Sequence, residues 1–184
     1  MEHETFTNDI WCLYFHDPYD VDWSLQSYIR IASLNSPKSF GKVMNILKEK
    51  IHSGMFFLMR EHVFPCWDDD NNRKGGCLSI KVLKQDMKEF WEMLCIRLLG
   101  ETLLIPEYQT THWDNINGIS TSPKKHFCII KIWLRSDNLN SKIFYNIPSN
   151  FYGDILYRSN VETIEQNNQS MSQKQETVPA TKMH

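Results

Sequence analysis

Short apolar runs bounded by turn-forming residues indicate that this chain is rich in β-strands. The run IWCLYF at 10–15 is followed by HDPYD, whose Pro18 marks a turn, and SYIRIASL at 27–34 alternates between apolar and polar positions. The segment 115–136 divides into two apolar stretches around the basic turn PKKH, which is the pattern of a hairpin. Further strands are predicted at 55–59, 77–83 and 154–157.

Apolar residues at helical spacing predict two longer helices. Between residues 35 and 54, Asn35 or Ser36 can cap a helix with Pro37 in its first turn, and Gly54 ends it. Its predicted buried positions are Phe40, Val43, Ile46, Leu47 and Ile51. The segment 84–101 is the clearest amphipathic helix. Its apolar stripe consists of Met87, Phe90, Trp91, Leu94, Leu98 and Leu99.

These elements predict an α+β domain: a curved antiparallel β-sheet with helices backing one face, the convex one. We expect a flexible N-terminus over 1–8, the domain over 9–162 and a disordered C-terminal tail over 163–184, where apolar residues are scarce. A weak helix is predicted before the last strand.

Composition narrows the function classes. The chain has 184 residues and a formal net charge of -2, so no global basic field favours long nucleic-acid duplexes. The five cysteines form no C-x-x-C pair, and no leader or membrane-spanning segment is recognisable. The sequence therefore predicts a soluble, intracellular and cytoplasmic protein with reduced cysteines.

The stretch FPCWDDDNNRKGG at 64–76 is unusual because an aromatic residue leads an acidic run. It is compatible with a solvated turn, with a metal loop, or with a ligand site that joins a flat apolar surface to a carboxylate. An EF-hand would need Gly where Arg73 stands and Glu where Ser79 stands, so calcium is disfavoured. The chain also lacks a zinc motif, a phosphate loop and a nucleophile elbow, so we expect no metal, no cofactor and no enzymatic activity.

Five motifs in a fixed order carry a family resemblance. They are W-x-L-[WY]-F (Trp11, Leu13, Tyr14, Phe15), a Trp before the second strand (Trp23), P-x-W-[ED]-[ED] followed by GG (Pro65, Trp67, Asp68, Asp69), F-W ahead of G-E (Phe90, Trp91, Gly100, Glu101), and I-x-I-W (Ile130, Ile132, Trp133). Over residues 9–162 the sequence thereby resembles the eukaryotic translation initiation factor 4E family, whose members bind the 7-methylguanosine cap of messenger RNA.

The resemblance implies a set of site residues. The methylated base is cationic and flat, and the family stacks it between two tryptophans, which correspond here to Trp67 and Trp23. Asp68 stands where a carboxylate reads guanine, although the family usually has Glu there, and Asp69 is the fallback. Trp133 corresponds to a Trp near the added methyl group, although an ordinary core position explains it equally well.

The phosphate-binding residues follow the family pattern less closely. Lys124 falls where the family has Arg, and Lys125 and His126 lie beside it in the turn. The second basic position of the family falls on Ile129, a departure for which Lys125, His126 or Lys131 would have to compensate. A solvated hairpin turn is the alternative for all of these basic residues.

The predicted partners are capped mRNA and a protein on the helical face. Gly41 replaces a family Trp that docks scaffold proteins, and Glu92 follows Trp91 where the family has an apolar residue. We therefore expect a divergent scaffold or repressor around Gly41, Trp91 and Glu92. The main prediction is cap binding in translation initiation or its control. One alternative is a decayed pocket in a protein-interaction module, and cap hydrolysis is disfavoured.

Overall fold

The computed structural model describes residues 5–151 and 155–176. Its strands are β1 (Trp11–His16), β2 (Ile29–Leu34), β3 (Met55–Arg60), β4 (Gly76–Leu83), β5 (Ile116–Pro123), β6 (Phe127–Leu134) and β7 (Ile155–Ser159). Its α-helices are α1 (Pro37–Leu47), α2 (Met87–Leu99), α3 (Pro106–His112) and α4 (Asn160–Glu176). Short 3-10 turns occupy Leu25–Ser27, Trp113–Asn115, Asp137–Leu139, Lys142–Phe144 and Ser149–Phe151.

The seven strands form one antiparallel sheet in the order β2-β1-β3-β5-β6-β4-β7. The predicted α+β class with a curved antiparallel sheet is confirmed. The predicted hairpin is present as β5 and β6, with Pro123 opposite Cys128 next to the turn. The central strands therefore come from distant parts of the chain. The β1–β2 loop and the β5–β6 turn leave at the end of the sheet that holds His16 and Met55, and the β3–β4 loop leaves at the opposite end.

Alternation along the strands gives the sheet two apolar faces. On β1, Trp11 and Leu13 join the main core with residues of α1 and α2, whereas Cys12 and Tyr14 join a second, smaller cluster on the opposite face. Trp133 of β6 belongs to that smaller cluster. Successive side chains of a strand point to opposite faces, so this pattern separates the helix-covered convex face from a concave face that holds the site.

Helix α1 begins as predicted but ends earlier. Ser36 and Ser39 form a reciprocal capping box, with the Ser36 hydroxyl accepting from Ser39 N at 3.2 Å. The helix ends at Leu47 rather than near Gly54. The prediction that Ile46 is buried is wrong, since its side chain is 72% exposed. The buried face runs through Phe40, Met44 and Leu47.

The C-terminal prediction needs correction. Helix α4 covers Asn160–Glu176, where the sequence predicted a disordered tail from 163, and residues 177–184 lie outside the described residues. The low apolar content misled the prediction because Gln, Glu, Met and Lys are good helix formers even without an apolar stripe. In addition, the Asn160 side chain is buried and donates to Asn72 O at 2.9 Å, which ties the start of α4 to the domain.

Three smaller differences concern the connecting segments. The weak helix predicted before the last strand is replaced, in the described residues, by 3-10 turns between β6 and β7. Helix α3 was not predicted. Of the N-terminus predicted to be flexible, residues 1–4 lie outside the described residues, whereas Thr7 N donates to Asn35 O and Asn8 Nδ2 donates to Glu101 Oε1, both at 2.8 Å.

Candidate functional site

The concave face carries a cavity of about 970 Å³. Its walls come from the β1–β2 loop, the β3–β4 loop, strands β5 and β6, and the middle of α4. Its lining residues include Trp23, Tyr28, Cys66, Trp67, Asp68, Ser120, Lys124, Lys131 and Trp133. The structure therefore brings both predicted stacking tryptophans, the predicted carboxylate and Trp133 to one cavity.

Trp23 forms one wall of the cavity and rests on a histidine. Its ring is 53% exposed and lies parallel to the ring of His16, with centroids 4.1 Å apart and an interplanar angle of 5°. Tyr28 packs edge-on against the same histidine at 5.0 Å. Because His16 covers one face of the indole, the other face is the one available for a flat ligand.

His16 is fully buried and holds the loop that carries Trp23. Its Nδ1 lies 2.8 Å from Asp17 O, and its Nε2 lies 2.8 Å from Asp22 O. Main-chain carbonyls only accept hydrogen bonds, so a ring nitrogen bonds to one of them through its N–H group. The two contacts join the beginning of the loop to the residue directly before Trp23.

The remainder of the Trp23 loop is held by short-range side-chain contacts. Asp17 accepts from Tyr19 N at 2.9 Å, and Asp20 accepts from Asp22 N at 2.9 Å. Asp22 accepts from both the backbone N and the hydroxyl of Ser24, and these hydrogen bonds lower the pKa of its carboxyl group. The five residues that make these contacts all lie within the same exposed loop. This wall is therefore locally stabilised.

Trp67 forms another wall, on a loop organised by Asn72. The Trp67 ring is 43% exposed, and no other aromatic ring in the described part of the chain packs against it. Asn72 is fully buried, and its Nδ2 donates to Phe64 O at 2.9 Å and to Cys66 O at 2.8 Å. These bonds fix the backbone on the N-terminal side of Trp67.

The same asparagine connects the Trp67 loop to distant elements. Asn117 of β5 donates to Asn72 Oδ1 at 2.8 Å, and Asn160 of α4 donates to Asn72 O at 2.9 Å. Gly75 ends the loop where the chain passes so close to the backbone of Leu134 that no Cβ fits. Thus Asn72, held by the buried side chains of Asn117 and Asn160, places Trp67 relative to the sheet.

The two acidic residues after Trp67 have different surroundings. Asp68 is exposed and lines the cavity. Burial, together with a hydrogen bond to the Asp68 carboxylate, raises the pKa of the Cys66 thiol to about 12, so this cysteine stays protonated. Asp69 instead accepts from Asn71 N at 2.9 Å and from Phe64 N at 3.4 Å. Asp69 therefore stabilises the turn, whereas Asp68 is the carboxylate that lines the cavity.

Trp133 lies on the floor of the cavity. Its ring is only 6% exposed and packs against Phe57, with centroids 6.3 Å apart. Its Nε1 donates to Ser120 Oγ at 2.9 Å. Trp133 is thus both a core residue and a lining residue of the cavity, so the core interpretation of this position is correct and its proximity to an added methyl group stays a prediction.

Of the three basic residues predicted in and beside the β5–β6 turn, Lys124 lines the cavity. Lys125 and His126 are exposed in the β5–β6 turn. Lys131, two positions before Trp133 on β6, also lines the cavity, and its Nζ lies 6.0 Å from the Trp133 ring centroid. Ile129 lies in the lining as well.

The helical face differs from the prediction in one respect. Trp91 is fully buried in the main core, so its ring cannot meet a partner. Gly41 is exposed, with open space where a Cβ would project, and Glu92 is half-buried. Exposed apolar side chains on this side of the molecule are instead Ile46 of α1 and Ile96 of α2, 72% and 63% exposed.

His16 and Asn72 were missed by sequence reasoning. His16 could have been found as a histidine that ends an apolar strand at an inward-facing position. Asn72 gave no separate signal, because it stands in a polar run where most side chains are solvated.

Among the described residues, no group of three or more His, Cys, Asp or Glu is placed to hold a metal ion. No described helix is long and apolar enough to cross a membrane.

Comparison with a family model gives a match over residues 7–183, and the family is described as eukaryotic initiation factor 4E. Translation initiation factor NCBP of wheat is 33% identical over 79 residues, which is 43% of this chain and 31% of that protein. Initiation factor 4E of Saccharomyces cerevisiae is 25% identical over 138 residues, 71% of this chain and 62% of that protein. The matches thus span about a third of the wheat relative and less than two thirds of the yeast relative.

Solved structures share the fold. Ascaris suum eIF4E-3 in complex with the m7G cap superposes with a TM-score of 0.66 at 19% identity, covering 85% of this chain and 91% of that one. A schistosome eIF4E complexed with m7GpppA and 4E-BP gives 0.64 at 23% identity, covering 74% and 75% of the two chains. At these identities the likeness establishes the fold alone.

Proposed function

Because the chain belongs to the eukaryotic initiation factor 4E family, we propose that it binds the 7-methylguanosine cap of messenger RNA and acts in translation initiation or its regulation. The observation that carries the proposal is that Trp23 and Trp67, from two separate loops, line one cavity with their rings about half exposed. Partly exposed aromatic side chains grouped in one concave cavity are typical of a ligand-binding site. A flat cationic base is the ligand that suits such walls.

Stacking supplies the selectivity for the methylated base. Methylation at N7 gives the purine a positive charge, and a cation is attracted to the face of an indole ring. Stacking of a base on an aromatic side chain contributes about 1–3 kcal/mol, and two walls roughly double the contribution. Trp133 on the cavity floor is the group proposed to lie near the added methyl.

Asp68 is proposed to read the guanine. The Watson–Crick edge of guanine presents two donors, and a carboxylate accepts both in charge-assisted hydrogen bonds. The thiol of Cys66 contacts the same carboxylate as a neutral group, so it leaves the negative charge on Asp68 unpaired. Adenine presents a different donor pattern and would be rejected.

Two lysines of the cavity are proposed to meet the phosphates. Lys124 lies at the end of β5, and Lys131 projects from β6 into the same cavity. Lys131 thereby compensates for Ile129, which stands where the family has a basic residue. Lys125 and His126 lie in the adjoining turn, where they add to the positive field without lining the cavity.

The proposed action is reversible binding, with no catalytic step and no cofactor, in the cytoplasm. The domain would couple capped mRNA to a protein partner on the helical face. Gly41 and Glu92 depart from the family pattern there, and Ile46 and Ile96 provide exposed apolar contacts. We propose a divergent scaffold or repressor as that partner.

Tryptophan fluorescence tests the function directly. Trp23 and Trp67 are the half-exposed tryptophans, whereas Trp11, Trp91, Trp113 and Trp133 are buried. Saturable quenching by 7-methyl-GTP, with unmethylated GTP far weaker, is the expected result. Equal weak quenching by both nucleotides would contradict cap recognition and favour a domain that serves only as a protein-interaction module.

A further inference from the structure

A second, smaller cavity adjoins the first on the concave face. Its volume is about 190 Å³, several times the roughly 30 Å³ that one water molecule occupies in the liquid, so a phosphate group fits. The two cavities share Trp67, Lys131 and Trp133 as walls. A group bound in the second cavity would therefore be a close neighbour of a base stacked on Trp67.

The register of three strands explains why this cavity exists. Cys77 of β4 lies opposite Trp133 on β6 and opposite Arg158 on β7. One row further along, Ser79 of β4 lies opposite Lys131 on β6. Directly paired residues point to the same face of a sheet. The small side chains of Cys77 and Ser79 thus leave a depression between larger neighbours on the flanking strands.

Both long polar side chains at this depression are cationic. Lys131 and Arg158 line the cavity, and none of its lining residues in the described part of the chain is an aspartate or glutamate. Neither cation forms an ion pair with a described residue. Burial raises the pKa of the Cys77 thiol to about 12, although the nearby Lys131 charge acts in the opposite direction. The thiol is neutral, and the cavity has a net positive charge in a chain whose net charge is -2.

We propose that the cavity between Lys131 and Arg158 is an anion subsite that takes a phosphate group of the capped RNA, an inference that rests on the proposed cap binding. Guanidinium binds phosphate through two parallel hydrogen bonds, and the ammonium of Lys131 serves as a point charge at the junction of the two cavities. Arg158 lies on the edge strand β7, so this contact extends the ligand path across β4 and away from the β5–β6 turn.

Calorimetric titration of the full chain tests the subsite. The ligands are 7-methylguanosine without phosphate, 7-methyl-GTP, and a capped dinucleotide that adds a phosphodiester. Arg158→Gln removes the charge at an exposed position, and the control Lys88→Gln removes one from an exposed position of α2 outside both cavities. We expect Arg158→Gln to weaken phosphate-bearing ligands roughly tenfold and to lower the salt dependence by one charge, with the nucleoside unaffected.

The ligand series separates the outcomes. If Arg158→Gln already binds 7-methyl-GTP more weakly than the wild type does, the bound phosphate belongs to the triphosphate. If only its affinity for the capped dinucleotide falls, the bound phosphate is the phosphodiester. Either result supports the subsite. If Arg158→Gln matches Lys88→Gln for every ligand, the subsite is wrong while cap binding stands. If the wild-type chain does not prefer methylated ligands at all, the proposed function itself fails. Thermal unfolding of both variants verifies that they are folded.

Discussion

The two tryptophan walls of the cavity are supported in opposite ways. Trp23 lies on an exposed loop that contacts the domain through the ring and two nitrogens of His16 and through an edge-on contact with Tyr28. Trp67 has no such ring behind it in the described residues and depends on the buried amide contacts of Asn72, Asn117 and Asn160. One wall is held locally, and the other is held by the fold itself.

Because the two walls are supported differently, we expect mutations at them to affect ligand affinity and protein stability to different extents. Side chains that support Trp23 border exposed backbone, which water can solvate when a contact is lost, so we expect mainly changes in affinity. Buried polar groups that lose a partner cost about 1–3 kcal/mol each, so a change in the Trp67 network is expected to alter stability as well. Four predictions test this comparison, beginning with the largest effect on ligand affinity.

Trp67→Ala is expected to abolish measurable binding of 7-methyl-GTP and to leave the fold intact, because the ring is exposed and its removal leaves no buried gap. Trp67→Phe retains a smaller aromatic face and should keep part of the affinity. Tyr19→Ala, which removes a 92% exposed ring outside the cavity, is the control. Calorimetry and circular dichroism measure both quantities, and full affinity in Trp67→Ala would remove the stacking proposal.

Asn72→Ala is expected to reduce both affinity and stability. It removes three hydrogen bonds of a buried side chain, one each to the Phe64 carbonyl, the Cys66 carbonyl and the Asn117 amide, at a cost of about 2–4 kcal/mol in the free energy of unfolding. Asn71→Ala, in the same loop but only half-buried, should cost much less. Denaturant unfolding measures this difference. If the two variants are equally stable, the amide network does not hold the Trp67 wall.

His16→Phe is expected to weaken 7-methyl-GTP binding about fivefold, with little change in the unfolding midpoint. The phenyl ring preserves the flat support behind Trp23 but cannot donate to the carbonyls of Asp17 and Asp22, a loss of about 1 kcal/mol. His16→Ala should weaken binding further, because the flat support is lost too. Wild-type affinity in His16→Phe would show that the two hydrogen bonds do not position the loop.

Asp68→Glu is expected to have the smallest effect, a modest tightening of 7-methyl-GTP binding, since the longer side chain reaches further into the cavity. Asp70→Glu is the matched control, because the Asp70 side chain is 93% exposed and outside the cavity lining. A large loss of affinity in Asp68→Glu would instead indicate that the Trp67 loop is adapted to the shorter acid.

Local patterns were sufficient to predict most of the fold. The strands that alternate or run continuously apolar, and the capped helix that begins at Pro37, follow from side-chain periodicity and turn residues. Ile46 was misassigned because α1 is short and its phase is fixed by Phe40 and Leu47. Helix α4 was missed because its anchor, Asn160, acts through a contact with Asn72 across 88 residues of sequence.

In the candidate site, too, some residues could be predicted from local sequence motifs and others depend on tertiary contacts. Trp23, Trp67, Asp68, Lys124 and Trp133 could be named from motif order, and the structure places them around one cavity. The support for these residues is tertiary and leaves no local pattern. His16 meets Trp23 only when the loop closes, and Arg158 approaches Lys131 only because β7 pairs with β4.

The most direct measurement is a crystal structure of the protein with 7-methyl-GTP. We expect the purine to lie between the rings of Trp23 and Trp67, about 3.5–4 Å from each, with its Watson–Crick edge hydrogen-bonded to Asp68. His16 should remain stacked on the far face of Trp23. A nucleotide bound elsewhere, or resting on only one of the two rings, would contradict the central claim that these loops form a two-walled site for a cationic base.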